Sequence, residues 1–186
     1  MRSVILVLAA CGSAPPPASA SPAAKPVAPA EPSESAAIPL GYIEMHAEQV
    51  VGVGDGAALM LVDAQKLLAL PVFIGGTEAT SIELRLHGEH FKRPLTHDLL
   101  DHVMQRLHAS LVKVQVDSLV DGTYIGSIYV RTEGRIIKID ARPSDAIALA
   151  IGDHAPIYVA RTVLDEAAMK WDEVQKQLQA KPNPES

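Results

Sequence analysis

The chain has 186 residues, of which 48% are hydrophobic, so it is long enough for one domain with a sizeable core. Only 4% of the residues are aromatic, so that core must be built mainly from Val, Ile, Leu and Ala. A formal net charge of -6 argues against a protein that holds nucleic acid by bulk electrostatics, because such proteins carry a basic face. The single cysteine excludes an internal disulfide and a cysteine-based zinc site.

That cysteine, Cys11, ends a short N-terminal segment that resembles a bacterial lipoprotein signal. Met1-Arg2 provides a positive start, Val4 to Leu8 is apolar, and small residues surround Cys11. The apolar stretch is shorter than the roughly 7–15 residues of a signal peptide, so either the start codon lies upstream or the likeness is accidental. The resemblance predicts a signal segment over residues 1–11, lipidation of Cys11 and a lipid-anchored location in the cell envelope. The alternative is a cytoplasmic location.

Residues 12–40 are almost entirely Ala, Pro, Ser and Glu. Such a segment has no large apolar side chains to bury, so we expect a disordered, solvated spacer. It could be the tether of an anchored domain or an ordinary disordered tail. We expect the folded domain over residues 41–180 and a frayed tail over residues 181–186.

The first half of the domain predicts short strands followed by two helices. The apolar residues between Val50 and Ile74 form strand-like runs that glycines interrupt, and Thr80 to Leu86 has helical spacing. Thr96 is the expected N-cap of the second helix. Behind it an apolar stripe is formed by Leu99, Leu100, Val103, Met104 and Leu107.

The second half repeats this order. Strands are predicted over Leu111 to Val116, Thr123 to Val130 and Arg135 to Ile139, and a short helix over Ser144 to Ala150. Ile157 to Val159 is a last strand. We expect one final helix from Val163 onwards, which buries Leu164, Ala167, Ala168, Trp171, Val174 and Leu178.

The two halves align at a constant offset. Val72-Phe73-Ile74 falls opposite Ile137-Lys138-Ile139, and Ile82 falls opposite Ile147. The shared apolar pattern predicts a duplicated, strand-rich unit with two helices in each copy. The polar positions differ between the copies, so we expect the two copies to share the scaffold but not the functional residues.

The segment from Asp140 to Asp145 (DARPSD) follows a strand and opens a helix, where unpaired N–H groups and the helix dipole favour an anion. Arg142 could bind a phosphate through two hydrogen bonds. Asp140 and Asp145 could hold a divalent cation, Mg²⁺ or Mn²⁺, through their oxygens. Together these groups could cut a phosphodiester. The alternative is structural: an Arg142–Asp140 ion pair would fasten the strand to the helix.

A second polar segment, Arg93 to Asp98, surrounds the predicted cap Thr96. His97 and Asp98 could be metal ligands or an acid–base pair, or they could be the solvated start of a helix. Glu78 is a third candidate, because it lies in the equivalent strand-to-helix turn of the first repeat.

Five segments of the chain resemble the bifunctional nuclease (BFN) domain family, in the family's order. The match covers essentially all of Tyr42 to Trp171. The segments are PVFIGGTEATSIEL (Pro71 to Leu84), RPLTHDLL (Arg93 to Leu100), DGTYIGSIYV (Asp121 to Val130), IDARPSDAIALA (Ile139 to Ala150) and APIYVARTVLDEA (Ala155 to Ala167).

The resemblance implies an α+β fold in which two strand-rich repeats, each with two helices, form a barrel-like mixed sheet. It also implies a homodimer and nuclease activity on DNA and RNA. By position, the matching functional residues are Glu78, Arg93, Thr96, His97, Asp98, Asp140, Arg142, Ser144 and Asp145.

These expectations assign a role to each residue. Asp140 and Asp145 hold the cation, with Asp98 as a further metal ligand. Arg142 steadies the phosphate, and His97 or Glu78 activates water. Arg93, Thr96 and Ser144 contact the substrate. Two other functions compete: a non-catalytic envelope module that binds an anion or a partner protein in the same crevice, and motifs that only hold the repeats together.

Overall fold

Each half of the folded chain begins with an antiparallel meander of three strands. A computed structural model describes residues 38–54 and 56–180, and all of these belong to one compact unit. The predicted signal segment with Cys11, most of the predicted spacer and the predicted tail lie outside the described residues. The first half contains β1 (Tyr42–Val53), β2 (Gly56–Asp63), β3 (Leu68–Ile74), α1 (Gly76–Leu86) and α2 (Thr96–Arg106).

The second half has the same order at first and then adds elements. It contains β4 (Ser110–Val120), β5 (Thr123–Thr132), β6 (Arg135–Ala141), α3 (Pro143–Asp153), β7 (Ile157–Ala160), α4 (Arg161–Ala167), β8 (Met169–Lys170) and α5 (Trp171–Ala180). Three strands followed by a helix are therefore common to both halves, as the repeat predicts. The second half carries three helices where two were expected.

The strands form one eight-stranded sheet in the order β6-β5-β4-β7-β1-β2-β3-β8. The two meanders lie on either side of β7, which pairs in parallel with β4 and antiparallel with β1. The predicted α+β class with a mixed sheet is confirmed. Among the described residues β6 and β8 are the two ends of the sheet, so it is not closed into a barrel.

Helices pack on both faces of the sheet. Strand β2 alternates between them: Leu59 and Leu61 join the main core, whereas Met60 and Val62 join a second, smaller core. The main core also contains most of α3, whose residues from Ala146 to Ala150 are all buried. A helix buried on nearly every side explains why its sequence, AIALA, is apolar throughout.

The prediction of a single final helix from Val163 is wrong, because the chain bends at Ala168. That residue is extended (φ -75°, ψ 149°), and β8, which follows it, pairs with Leu68 and Ala69 of β3. Val163 packs in the main core, whereas Trp171 packs in the second core on the other face. One straight helix cannot pack against both faces of the sheet, so the chain crosses the sheet edge at β8 and a new helix, α5, begins after it.

The helices of the first half also differ from their prediction. Helix α1 begins at Gly76, four residues before the expected start at Thr80. Helix α2 has Leu95 as its N-cap residue rather than Thr96, and the Leu95 N–H donates to Asp98 Oδ2 (2.9 Å). Within its apolar stripe only Met104 is buried; the exposed members are Leu99, Leu100, Val103 and Leu107.

None of the described helices is both long enough and apolar enough to span a membrane.

Candidate functional site

The polar residues that the sequence singled out converge where α1 and α3 begin. Both helices follow the last strand of a meander, and they pack against each other. Glu78 lies in the first turn of α1, and Asp145 lies in the first turn of α3. Arg142 is the N-cap residue of α3, and Pro143 occupies the first turn, where its missing N–H removes no helical hydrogen bond.

Arg142 joins the two repeats through hydrogen-bonded ion pairs. Its Nε donates to Asp145 Oδ2 (2.8 Å), and its Nη2 donates to Asp145 Oδ1 (2.9 Å) and to Glu78 Oε1 (2.7 Å). The Arg142 side chain is 67% exposed, against 19% for Glu78 and 32% for Asp145. Nη1 has no hydrogen-bond partner among the described residues, so the guanidinium keeps donors for an anion from solvent.

His97 connects α2 to the same cluster and is itself buried. Its Nε2 lies 3.2 Å from Asp145 Oδ1, and its Nδ1 lies 2.9 Å from Ser81 Oγ. An ionised carboxylate can only accept, so Nε2 carries a proton and donates it to Asp145. In a neutral ring Nδ1 then accepts from the Ser81 hydroxyl. Both ring nitrogens are therefore engaged, and the orientation of the imidazole is fixed.

The charges in the cluster stabilise one another. Burial alone would raise the pKa of Asp145, but the hydrogen bonds from Arg142 and His97 outweigh it and hold that pKa below its ordinary value. The hydrogen bonds to Asp145 and Glu78 raise the pKa of Arg142. Asp145 is consequently ionised at neutral pH, which is the state that accepts from His97.

These side chains surround a cavity of about 140 Å³, which we call the central cavity. A larger cavity of about 280 Å³ adjoins it and shares Glu78 and Arg142 with it; Ser144 lines this second cavity. The residues around the central cavity include Thr77, Glu78, Ser81, Thr96, His97 and Asp145. The structure therefore brings six of the nine expected positions to these two cavities.

Asp140 is the first exception, because it lies on the other face of the sheet. In the β5–β6 register Asp140 is opposite Ser127, whereas its neighbour Ile139 is opposite Ile128 of the main core. Side chains alternate along a strand, so Asp140 shares its face with Lys138 and points away from α3. It is exposed and does not line the central cavity. The anticipated Arg142–Asp140 ion pair is replaced by Arg142–Asp145.

Asp98 is the second exception. Its Oδ2 accepts the Leu95 N–H, and its Oδ1 accepts a hydrogen bond from Arg85 Nη2 (2.7 Å). These hydrogen bonds outweigh burial and lower the pKa of Asp98. Asp98 thus closes the start of α2 and binds a buried arginine. Arg93, the third exception, is exposed in the loop before α2 and lines neither cavity.

The donor set does not fit the expected cation. Among the described residues there is no group of three or more His, Cys, Asp or Glu side chains that could hold a metal ion. Asp140 and Asp145 are on different faces of the sheet, and both oxygens of Asp145 already accept from Arg142. We therefore derive no catalytic step through a metal.

Two residues that the sequence analysis did not select are part of this region. Ser81 orients His97, and Arg85 holds Asp98 and Asp101 from a side chain that is only 5% exposed. The signal was helical spacing: Glu78, Ser81 and Arg85 are three and four residues apart, so they form one polar stripe on a helix that is otherwise packed.

The comparisons with known proteins identify the family to which the chain belongs. The model of the bifunctional nuclease domain matches residues 59–172, which is more than half of the chain. The chain therefore belongs to the bifunctional nuclease domain family.

Relatives were found in bacteria and plants. Two uncharacterized proteins from strains of Mycobacterium tuberculosis are 39% identical over 111 residues, covering 60% of this chain and 66% of theirs. Bifunctional nuclease 1 of Oryza sativa subsp. japonica is 25% identical over 115 residues, covering 60% of this chain and 34% of its own length. The chain thus matches just under two thirds of the mycobacterial relatives and about a third of the rice protein.

Proposed function

We propose that the protein hydrolyses phosphodiester bonds in DNA and RNA at the central cavity. The observation that supports this most strongly is the position of Arg142. It is a largely exposed guanidinium that bridges two carboxylates at a cavity which also holds an oriented histidine. Membership of the bifunctional nuclease domain family supports the same chemistry.

In this proposal Arg142 binds the scissile phosphate. A guanidinium matches a phosphate through paired hydrogen bonds, and Nη1 begins the contact. The phosphate then competes with Glu78 for Nη2. Because ion pairs that reach solvent contribute little free energy, the exchange costs little. Thr96 beside the central cavity and Ser144 beside the larger one contact the substrate.

The released Glu78 carboxylate then activates water. It accepts a proton from the water molecule that attacks phosphorus, while the bond from phosphorus to the leaving oxygen breaks. In this step His97 acts in its doubly protonated form: it transfers its Nε2 proton from the contact with Asp145 to that oxygen and is left as a neutral ring. Ser81 keeps the imidazole in place during both steps.

A divalent cation, Mg²⁺ or Mn²⁺, stays a prediction from the sequence. Arg142, Glu78 and His97 could act without a cation. Cleavage should therefore be measured both with added Mg²⁺ or Mn²⁺ and with a chelator.

The second candidate is a non-catalytic module that binds an anion or a partner protein in the same crevice. It is favoured by the extensive pairing within the cluster, because Glu78, Asp145 and both nitrogens of His97 have partners. Paired side chains suit recognition as well as catalysis.

Cleavage of labelled single-stranded DNA and RNA by the purified full chain separates the two candidates. We expect cleavage by the parent and its loss in Glu78→Gln, which keeps the size of the side chain but cannot accept a proton in the same way. A parent protein that binds the oligonucleotides without cleaving them under any metal condition would favour the non-catalytic module.

We also propose that the protein is a homodimer. An exposed apolar row along α2, formed by Leu99 and Val103 and continued at four-residue spacing by the C-cap residue Leu107, supports this.

Lipidation of Cys11, with a location in the cell envelope, stays a further proposal from the sequence. Labelling with a fatty-acid analogue tests it, with Cys11→Ser as the control. An unlabelled parent protein would contradict the anchor.

A further inference from the structure

Three cationic side chains surround one tyrosine on the face of the sheet opposite α3. In the sheet register Tyr129 of β5 is opposite Lys113 of β4 on one side and Lys138 of β6 on the other. Lys113 Nζ lies 4.6 Å from the centroid of the Tyr129 ring, and Lys138 Nζ lies 5.7 Å from it. Arg131, two residues further along β5, projects from the same face. We call these four residues the Tyr129 surface.

The main core determines on which face these residues lie. Val114 of β4 and Val130 of β5 belong to that core, and side chains alternate along a strand. Their neighbours in the chain, Lys113, Tyr129 and Arg131, therefore point away from the core and from α3. Helix α5 packs on the same face as the Tyr129 surface, but it lies against β3 and β8 at the other end of the sheet.

Two of the three cations have no acidic partner. Among the described residues neither Lys113 nor Arg131 forms an ion pair, although both are half-buried. Lys138 donates to Asp117 Oδ2 (2.8 Å) and is still 53% exposed, so it keeps donors for a second anion. The Tyr129 surface is therefore a local positive patch on a chain whose net charge is -6.

The carboxylates on this face of β4 and β6 are Asp117 and Asp140. Asp117 accepts hydrogen bonds from Tyr42, Ser127 and Lys138, so its charge is already compensated. Asp140 is opposite Ser127, one row away from Tyr129. Neither carboxylate pairs with Lys113 or Arg131, so these two cations stay available to a ligand.

Phosphates of a nucleic-acid strand fit this arrangement. Lysine and arginine bind backbone phosphates without regard to base sequence. The Tyr129 ring holds the ammonium groups of Lys113 and Lys138 by cation–π contacts, so the cations are preorganised. Basic clusters that bind anionic membranes contain about 4–8 Lys or Arg residues, more than this surface has.

The sheet edge favours a single strand over a duplex. Lys138 and Arg142 are four residues apart, about 13 Å along an extended chain, but they lie on opposite faces of the sheet. Strand β6, which precedes Arg142, is one end of the sheet. A flexible single strand can pass round this edge and contact both residues, whereas a stiff duplex cannot bend so sharply.

We propose that the Tyr129 surface binds the phosphate backbone of single-stranded nucleic acid, outside the central cavity and on the other face of the sheet. Lys113, Arg131 and Lys138 each contact a phosphate, and Tyr129 positions the two lysines. The class of ligand rests on the proposed function, but binding at this surface is measurable without cleavage.

The test measures binding of a short, labelled oligothymidylate by fluorescence anisotropy between about 50 and 200 mM salt. The reference protein is the full chain with Glu78→Gln, the variant expected not to cleave, so the probe stays intact. We expect Lys113→Gln with Arg131→Gln to bind about 25-fold more weakly at about 0.1 M salt, roughly 5-fold for each lost phosphate contact. The slope of log affinity against log salt should become less steep by about 1.4, because each contact on a single strand contributes about 0.7.

The matched control is Lys66→Gln with Lys176→Gln, which removes two charges from exposed side chains outside the Tyr129 surface. It should bind with the affinity and the salt slope of the reference protein. The charge-conserving exchange of Lys113→Arg with Arg131→Lys should also retain both. Lys138→Gln, at a side chain that is 53% exposed, should bind about 5-fold more weakly and decides the question if the double variant does not fold.

Unchanged affinity and salt slope in the double variant would overturn the proposal, and so would an equal loss in the control pair. Failure of the reference protein to bind the oligonucleotide would also overturn it. Vesicles that contain phosphatidylserine are the second probe: binding of vesicles but not of the oligonucleotide through Lys113 and Arg131 would replace nucleic acid by a membrane.

The proposed function fails separately. Oligonucleotide binding that depends on Lys113 and Arg131, with no cleavage by the chain that retains Glu78, would keep the Tyr129 surface and refute the nuclease. Cleavage by that chain, with binding that does not depend on Lys113 and Arg131, would refute the surface and keep the nuclease.

Discussion

Arg142 Nη2 donates to Glu78 Oε1 over 2.7 Å, although 64 residues separate the two in the chain. Glu78 belongs to the first repeat and Arg142 to the second, so this contact exists only when α1 and α3 are packed together. The candidate site is therefore formed by residues from both repeats, and neither repeat contains it alone.

The exposure of Arg142 predicts that it contributes more to activity than to stability. Because its side chain is 67% exposed, removing its ion pairs should change the free energy of unfolding by less than about 1 kcal/mol. We expect Arg142→Ala to unfold at nearly the same denaturant concentration as the parent. A variant that fails to fold would instead favour motifs that only hold the repeats together.

Arg85, which is buried beside this site, should by contrast contribute to the stability of the fold. Arg85 donates to Asp98, Asp101 and the Ala148 carbonyl, and a Cβ at Gly152 would collide with its guanidinium. Alanine forms helices better than glycine by about 1 kcal/mol, so helix propensity alone would make Gly152→Ala stabilising. We expect the collision to dominate and to destabilise the protein by about 1–3 kcal/mol in urea unfolding.

Gly76→Ala is the matched control, because a Cβ there meets no atom within 4 Å. If Gly152→Ala proves as stable as this control, the tight packing of Arg85 against α3 is refuted.

A pH dependence follows from Asp117, which lies on the opposite face of the sheet from α3. Its carboxylate accepts from the Tyr42 hydroxyl (2.8 Å), Ser127 Oγ (2.9 Å) and Lys138 Nζ (2.8 Å). Burial would raise the pKa of Asp117, but these hydrogen bonds lower it below its ordinary value of 3.8. A depressed native pKa stabilises the fold above pH 3.8, and this contribution is lost as the pH falls through that value and then through the native one.

We therefore expect the parent to lose stability between about pH 5 and pH 3 more steeply than Asp117→Asn, as followed by urea unfolding at each pH. Asp165→Asn, at an exposed position on α4, should keep the slope of the parent. Parallel curves for the parent and Asp117→Asn would show that Asp117 does not carry the effect.

The exposed row on α2 predicts where a homodimer would form. Val103, in its middle, is 44% exposed, so Val103→Glu should place a charge in the interface without disturbing the core. We expect a smaller sedimentation coefficient for this variant at micromolar concentration. Gln105→Glu adds the same charge at an exposed position on a different side of α2 and should sediment as the parent. A monomeric parent would contradict the homodimer itself.

Much of the fold was predictable because apolar periodicity reports burial directly. The runs that contain Leu59 and Val72 alternate or are continuous as buried strands require, and Ile147 and Leu149 identify the buried helix α3. The final helix was mispredicted because periodicity does not say which face of a sheet a residue will join. Trp171 belongs to a different core from Val163.

The site was predictable only in part, for a similar reason. Adjacency in sequence grouped Arg142 and Asp145, and the structure pairs these two side chains, which are one helical turn apart. It failed for Asp140, because a residue at the end of a strand can face either side of the sheet. Ser81 and Arg85 were missed because the role of a polar residue on a packed helix depends on which side chains of the neighbouring helix it contacts, and the sequence alone does not show those contacts.

The most direct test of the account compares kcat/KM for cleavage of one single-stranded oligonucleotide by Arg142→Ala and by Arg135→Ala. Arg135 is the matched control, because it is 77% exposed and pairs with Glu133 far from the central cavity. We predict a loss of about 100- to 1000-fold in Arg142→Ala, the usual effect of removing a group that stabilises charge in a transition state, and no loss in Arg135→Ala. Equal activity of the two variants and the parent would contradict the assignment of the active site to Arg142 and its partners.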